Sequence, residues 1–273
     1  MTFETIFLRT KKLIRNPNIA KMRNKYLKFI TITLFCVGLT NCRSDSVKDI
    51  DGNVYPTITI GTQVWMAKNL KTTKYSNGDL IGTTTPATLN IEGESTPKYQ
   101  WPYDGNESNV ATHGRLYTWY VATDSRNVCP TNWHVPSDSE WTVLTDYLIK
   151  NGYSYGNGYK RMDIAKSLAS TTGWVADETP GSVGNDQTSN NSTGFTALPS
   201  GARLEDGNFY LMGHIGDWWS TTEGGAAFMQ GLSGIIVYTP GGLFRDIYYD
   251  YCYVNSYSNN KKYGMSIRCL KDN

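Results

Sequence analysis

Charge, histidine and long hydrophobic runs are all scarce in this 273-residue chain. Charged residues make up 18% and the formal net charge is +2. A small net charge beside 13% aromatic residues excludes an intrinsically disordered chain. Ala, Glu, Lys and Leu do not dominate, which excludes a long coiled coil. The three histidines are His113, His134 and His214. None stands two, three or four residues from another His or a Cys, so there is no zinc motif. P-loop and G-x-G-x-x-G motifs are absent, and no sequence repeat stands out.

The charge that is present is unevenly placed. Residues 1–42 hold eight basic residues against Glu4, a surplus of seven, so the remainder carries a net −5. The hydrophobic run Phe29–Leu39 is 11 residues long, short of the ~20 needed to span a bilayer. With Arg23, Lys25 and Lys28 before it, it reads as a signal peptide, for which Met22 is a plausible start. The run ends in Leu39-Thr40-Asn41-Cys42, which resembles the lipobox of bacterial lipoproteins, although Asn41 departs from the usual Gly, Ala or Ser. Residues 1–42 are thus expected to be a leader ending at a lipidated Cys42, with 43–48 as a polar tether. Acyl chains gain ~0.8 kcal/mol per buried CH₂, so they would hold the body at a membrane without a spanning helix. The expected location is the outer membrane, on its periplasmic or surface face. An acidic body with no basic patch argues against nucleic acid.

The exported body keeps Cys129, Cys252 and Cys269. Export favours one disulfide. Two pairings are open. Cys129 with Cys269, the preferred one, ties the middle of the chain to its last strand. Cys252 with Cys269 would join neighbouring strands.

Along the body, Asp51-Gly52-Asn53 and Gly61-Thr62 are turn signals on either side of the β-rich Val54–Ile60, with Gln63–Met66 returning. Residues 82–109 read as a long surface loop. In 114–123, Leu116, Trp119, Tyr120 and Thr123 follow helical spacing. Ser137 and Glu140 form an S-x-x-E capping box for a helix over 137–151. Lys160–Ala169 reads as a further short helix. Strands are expected at 195–204, 209–212, 217–222, 235–238, 246–257 and 265–270. Helices in mid-chain with strands on both sides predict an α+β fold, as one domain over 49–272.

Six segments together carry a resemblance: 60–79 (IGTQVWMAKNLKTTKYSNGD), 113–122, 129–144 (CPTNWHVPSDSEWTVL), 194–203, 217–223 (DWWSTTE) and 263–272 (YGMSIRCLKD). The body resembles the Fibrobacter succinogenes major paralogous domain, whose members occur in Bacteroidetes, often secreted or lipid-anchored. The resemblance implies a C-type-lectin-like fold related to formylglycine-generating enzymes. It also implies that Cys129 and Cys269, which match the family's CP…RC pair, form the disulfide. The close copper-binding Cys pair of formylglycine-generating enzymes is missing, since Cys252 and Cys269 are 17 residues apart. The Glu-Pro-Asn, Gln-Pro-Asp and Trp-Asn-Asp motifs of calcium-dependent lectins are absent too. No metal ligand set is therefore assigned, although Asp177, Glu178, Asn185 and Asp186 offer hard oxygen ligands for calcium.

The adjacent acids Asp177-Glu178 and Glu205-Asp206 lie in turn-rich segments and read as turn formers. No catalytic residue is assigned. Trp65, Trp133, Trp141 and Trp218 belong to the shared motifs and read as core. Ile247, Tyr249, Tyr251, Tyr253 and Tyr257 would share one face of a 246–257 strand, where core packing is the expected role. Trp101, Tyr103, Tyr153 and Tyr155 lie among Gly, Pro and Asn, and are expected to be exposed ligand contacts. The body is therefore expected to be a non-catalytic module for a glycan or an envelope protein. A formylglycine-generating-type enzyme and a structural adhesin component are the alternatives.

Overall fold

A computed structural model describes residues 45–155, 163–230 and 235–273, with backbone only at 226–230 and 235–239. The leader, Cys42 and part of the 160–169 segment lie outside the described residues. Asp45–Asn273 forms one compact unit. No helix among the described residues is long and apolar enough to cross a membrane.

The N-terminal turn signals form two linked hairpins. The carboxylate of Asp49 accepts from Asn53 N and Nδ2, each at 2.8 Å, and from Tyr55 Oη at 2.6 Å. That turn pairs β1 (Ser46–Lys48) with β2 (Val54–Ile60), and Gly61-Thr62 returns the chain as β3 (Gln63–Met66). Further along come β4 (Gln100–Trp101), β5 (Leu116–Tyr117) and β6 (Trp133–His134). Then follow β7 (Ala202–Arg203) and β8 (Phe209–Tyr210), which pair across the 205–208 turn. The C-terminal third holds β9 (Ile215–Gln230), β10 (Ile235–Tyr248), β11 (Asn255–Asn259) and β12 (Leu270–Lys271).

The helices are short and lie in mid-chain: α1 (Val110–His113), α2 (Trp119–Ala122), α3 (Asp138–Lys150) and α4 (Ala165–Leu168). In α3 the capping box is complete, with Ser137 Oγ accepting from Glu140 N and Glu140 Oε2 accepting from Ser137 N. Each side chain thereby satisfies an orphan N–H of the other. Trp141, Leu144 and Leu148 form the buried face. The expected 114–123 helix divides instead. Leu116 and Tyr117 pair with β4, and the helix starts only at Trp119. Thr118 breaks it, since its Oγ1 donates to Pro97 O at 2.7 Å.

Helices and antiparallel strands give an α+β fold. The principal sheet has the order β1-β2-β3-β12-β6, so the last strand closes against the first hairpin. Leu270 lies between Trp65 and His134. The preceding residues run through the middle of the body. Gly264 bridges Arg203, Met265 bridges Tyr117 and Ser266 bridges Trp218. Side chains 264–270 are all buried, and the chain is pinned there by the Cys129–Cys269 disulfide. Arg268, fully buried, donates to Asn69 Oδ1 at 2.7 Å, to the carbonyls of Met66 and Thr196 at 3.1 Å, and to Phe195 O. Burial lowers its pKa to about 9.

The second sheet, β11-β10-β9, divides the core by strand alternation. Trp218 and Ile247 face one hydrophobic cluster, where Trp65 and Trp141 lie 4.7 Å apart between centroids. Trp219 and Phe244 face the other. A bulge at Gly242/Phe244 sets this register. Gly242 is required there, because a Cβ would come within 2.3 Å of Trp119 Cδ1.

One expected strand is not continuous. The 246–257 segment turns between Tyr248 and Asn255 to form β10 and β11, which pair with each other. Tyr249, Tyr251 and Tyr253 therefore do not share a strand face with Ile247.

Candidate functional site

The face of the second sheet that carries Trp219 and Phe244 opens into a cleft of about 520 Å³. Its floor is set by register. Asp246 lies opposite Asp217 on β9 and opposite Asn255 on β11, a polar row across three strands. The next row is Trp219, Phe244 and Tyr257. Residues two apart on a strand point the same way, so both rows share one face. Tyr210 and Tyr248 complete one wall. Tyr251 and Tyr257, 41% and 53% exposed, stand at the opening.

The acid pair is costly. Like charges directly opposite each other in an antiparallel ladder are destabilising. Both residues are 3% exposed. Burial, and then the neighbouring Asp246, hold the Asp217 carboxyl well above the usual carboxylate range. Burial pushes Asp246 up to about 6, against hydrogen bonding from Asn255 that pulls it down. Asp246 Oδ1 has no hydrogen-bond partner among the described residues. Burial, then the two acids, push Tyr248 up to about 12. None of the residues lining the cleft is Lys, Arg or His. Burial thus works against the charge of both carboxyls, and no residue lining the cleft supplies a counter-charge. Costly, unpartnered groups of this kind cluster at functional sites.

The sequence-based contact residues fall elsewhere. Trp101 is fully buried, its Nε1 donating to Thr84 Oγ1 at 2.9 Å and the Arg203 guanidinium lying 4.1 Å over its ring. Tyr103 is 9% exposed and packs on Phe209. The expected exposure fails at these two positions. Both belong to the 82–109 segment, which is not a surface loop throughout, since Ile91 and Gln100 are buried as well. Tyr153 packs against the Trp65 cluster, and Tyr155, 46% exposed, lies over Gly181. None of the four lines the cleft. Two of the tyrosines expected in the core, Tyr251 and Tyr257, are at its mouth.

The other sequence readings can be placed as well. Cys129 and Cys269 are bonded, with Cα atoms 6.0 Å apart, so Cys252 and Cys269 do not form a thiolate pair. The Cys252 thiol lies 3.4 Å from Asp163 Oδ1. In the 177–191 loop, Asp177 accepts from Thr179 and Ser182, and Asp186 accepts from Thr188. The Lys166 ammonium donates to the carbonyls of Ser182, Asn185 and Asp186, a place a cation would take. Among the described residues no cluster of three or more His, Cys, Asp or Glu could hold a metal ion.

The acid pair was missed because its members are 29 residues apart and pair only through the ladder. A usable signal was present. Asp is depleted in strands, yet Asp217 and Asp246 each open a segment that reads as β.

No curated protein and no solved structure matches the chain significantly. The family model for the Fibrobacter succinogenes major domain matches residues 58–271. That span includes every residue of the cleft, and on it the chain belongs to the Fibrobacter succinogenes major domain family.

Proposed function

We propose that this protein is an exported, lipid-anchored binding module of the bacterial envelope, and that its ligand is a glycan seated in the Asp217–Asp246 cleft. The leader supplies the export and anchoring part of the reading, through Cys42. The scaffold part is a C-type-lectin-like body whose binding surface is a sheet face. One observation carries the ligand class: a polar row of Asp217, Asp246 and Asn255 lies beside aromatic rings in an open cleft. Carboxylates and amides bond sugar hydroxyls, and exposed ring faces stack on pyranose rings. Tyr251 and Tyr253 are themselves stacked, 4.8 Å apart at 17° between planes. The reading needs no catalytic step.

Two measurements test it. Mass spectrometry of the membrane-extracted protein should find an acylated N-terminal Cys42, abolished in C42S; an unmodified Cys42 overturns the anchor. A glycan array probed with the full-length protein should return binders that Y257A loses. An array that gives no binder, or binders indifferent to Y257A and Y251A, overturns the assignment of this cleft.

A further inference from the structure

We infer that the glycan this cleft recognises is an amino sugar, a unit carrying a free ammonium group, with the Asp246 carboxylate as its charge partner. The inference rests on the glycan-binding reading above and names the ligand class for that site.

The argument begins with what the cleft lacks. Asp246 lines the cleft and is 97% buried, taking its 3% exposure from the whole, and its Oδ1 has no hydrogen-bond partner among the described residues. A buried carboxylate without a counter-charge is expensive. Its strand neighbour does not help, because Arg245 points to the opposite face and pairs with Asp138. A neutral sugar would donate a hydroxyl to Oδ1 and leave the charge uncompensated. An ammonium group satisfies both the charge and the empty acceptor. Asp217 lies directly opposite, so it offers the same group a second oxygen.

The remaining walls separate a sugar from a simple amine. Asn255 and Asn259, on the same face as Tyr257, present amides. These demand several hydroxyl or ring-oxygen partners around one ammonium. A lysine side chain brings an ammonium on an apolar stem, with nothing for those groups. The rings of Phe244 and Tyr257, 6.3 Å apart between centroids and tilted by 48°, give apolar surface against which a pyranose face packs. The faces of such rings also attract a nearby cation.

The test is calorimetric titration of the full-length protein, in detergent, with three probes. These are a glucosamine tetramer, the N-acetylglucosamine tetramer of the same length, and tetralysine. The glucosamine tetramer should bind. Its acetylated counterpart, whose amide nitrogens carry no positive charge, should bind roughly ten- to a hundredfold more weakly. D246N should weaken the glucosamine tetramer by a similar factor while leaving any binding of the acetylated one unchanged. Equal affinity for the two tetramers overturns the inference and leaves the glycan reading standing. So does a D246N affinity equal to that of the wild type. Binding of neither tetramer overturns both. Tetralysine binding without sugar binding, lost in D246N, also overturns both and makes the partner a basic polypeptide. The comparison of tetramers on the wild-type protein needs no variant, so a folding defect in D246N would not mask the result.

Discussion

Asp246→Asn should make this protein more stable above pH 6, and the gain should be absent at pH 4. Burial moves the Asp246 carboxyl from 3.8 to about 6. A shift of one unit corresponds to 1.36 kcal/mol between protonation states, so keeping the folded form ionised costs about 3 kcal/mol. The residue is 3% exposed, so solvent screening takes little from that figure. A folded pKa above the unfolded one means that the fold favours the protonated form. The contribution is fully present below the unfolded value near 4 and is lost as pH rises through about 6. Asparagine is nearly isosteric and never ionises. The difference in unfolding free energy between D246N and wild type should therefore be near zero at pH 4, rise through pH 6, and level off at up to about 3 kcal/mol by pH 8.

Urea denaturation followed by tryptophan fluorescence at these pH values measures the difference directly. The buried Trp218 and Trp219 flank the site in sequence and report its integrity. Asp217 is pushed upward by burial and by the Asp246 charge, so D246N relieves part of that shift and the difference curve reports the pair. A difference curve that is flat, or negative at pH 8, refutes the reasoning. It would mean that Asp246 is ionised at no cost and that the cleft already supplies its counter-charge.

The remaining predictions concern the frame around the site. Replacing Cys129 and Cys269 together by Ala opens a loop of sequence separation 140, which the chain-entropy model values at about 5 kcal/mol. The midpoint followed by circular dichroism should fall on the order of 10–20 °C. Arg245→Met removes the donors to Asp138, Ser256 and Thr142, leaving a half-buried acid unpaired. Urea denaturation between pH 6 and 8 should show a loss of about 3 kcal/mol, opposite in sign to D246N one residue away. His134 is held by Asp272 at 2.6 Å and Glu140 at 2.9 Å. Burial pulls its pKa down, but these two hydrogen bonds raise it above 6.5 on balance. That stabilisation is complete below pH 6.5 and is lost as pH rises through the folded value, so H134Q should flatten the alkaline fall seen in thermal scans from pH 6 to 9.

Local chemistry was readable wherever one turn or one helix end decided the outcome. Ser137 and Glu140 announced the start of α3, and Gly61-Thr62 announced a hairpin that formed, whereas residues 46–48, expected in a tether, pair as β1 across the Asp51-Gly52-Asn53 turn. The resemblance identified the Cys129–Cys269 bond. Burial was not readable for aromatics in irregular segments. Trp101 looks exposed among Gly and Pro, but burial there depends on Arg203, 102 residues later, stacking on its ring. The Tyr249–Tyr253 alternation looked like a strand face because periodicity cannot show a turn that lacks Gly or Pro. The acid row is legible only once β9, β10 and β11 are in register, and that register hangs on a bulge at Gly242.

The buried charges also separate frame from function. Arg203 and Arg268 are each fully buried, and the structure surrounds them with carbonyls. Arg203 donates to Ala87, Leu89 and Leu204, and Arg268 to Met66, Phe195 and Thr196. Each fastens a loop to the central C-terminal segment and leaves nothing for a ligand. Asp217 and Asp246, each 3% exposed, receive no charged donor from the cleft lining, and Asp246 is supported by Asn255, although the same sheet places Arg245 one residue away, facing the other side. A fold able to surround two buried arginines with acceptors could surround two aspartates with donors. Where it does not, the missing donors define the shape and charge of what should bind. The inferred amino sugar would supply them here, and D246N should trade its recognition for stability.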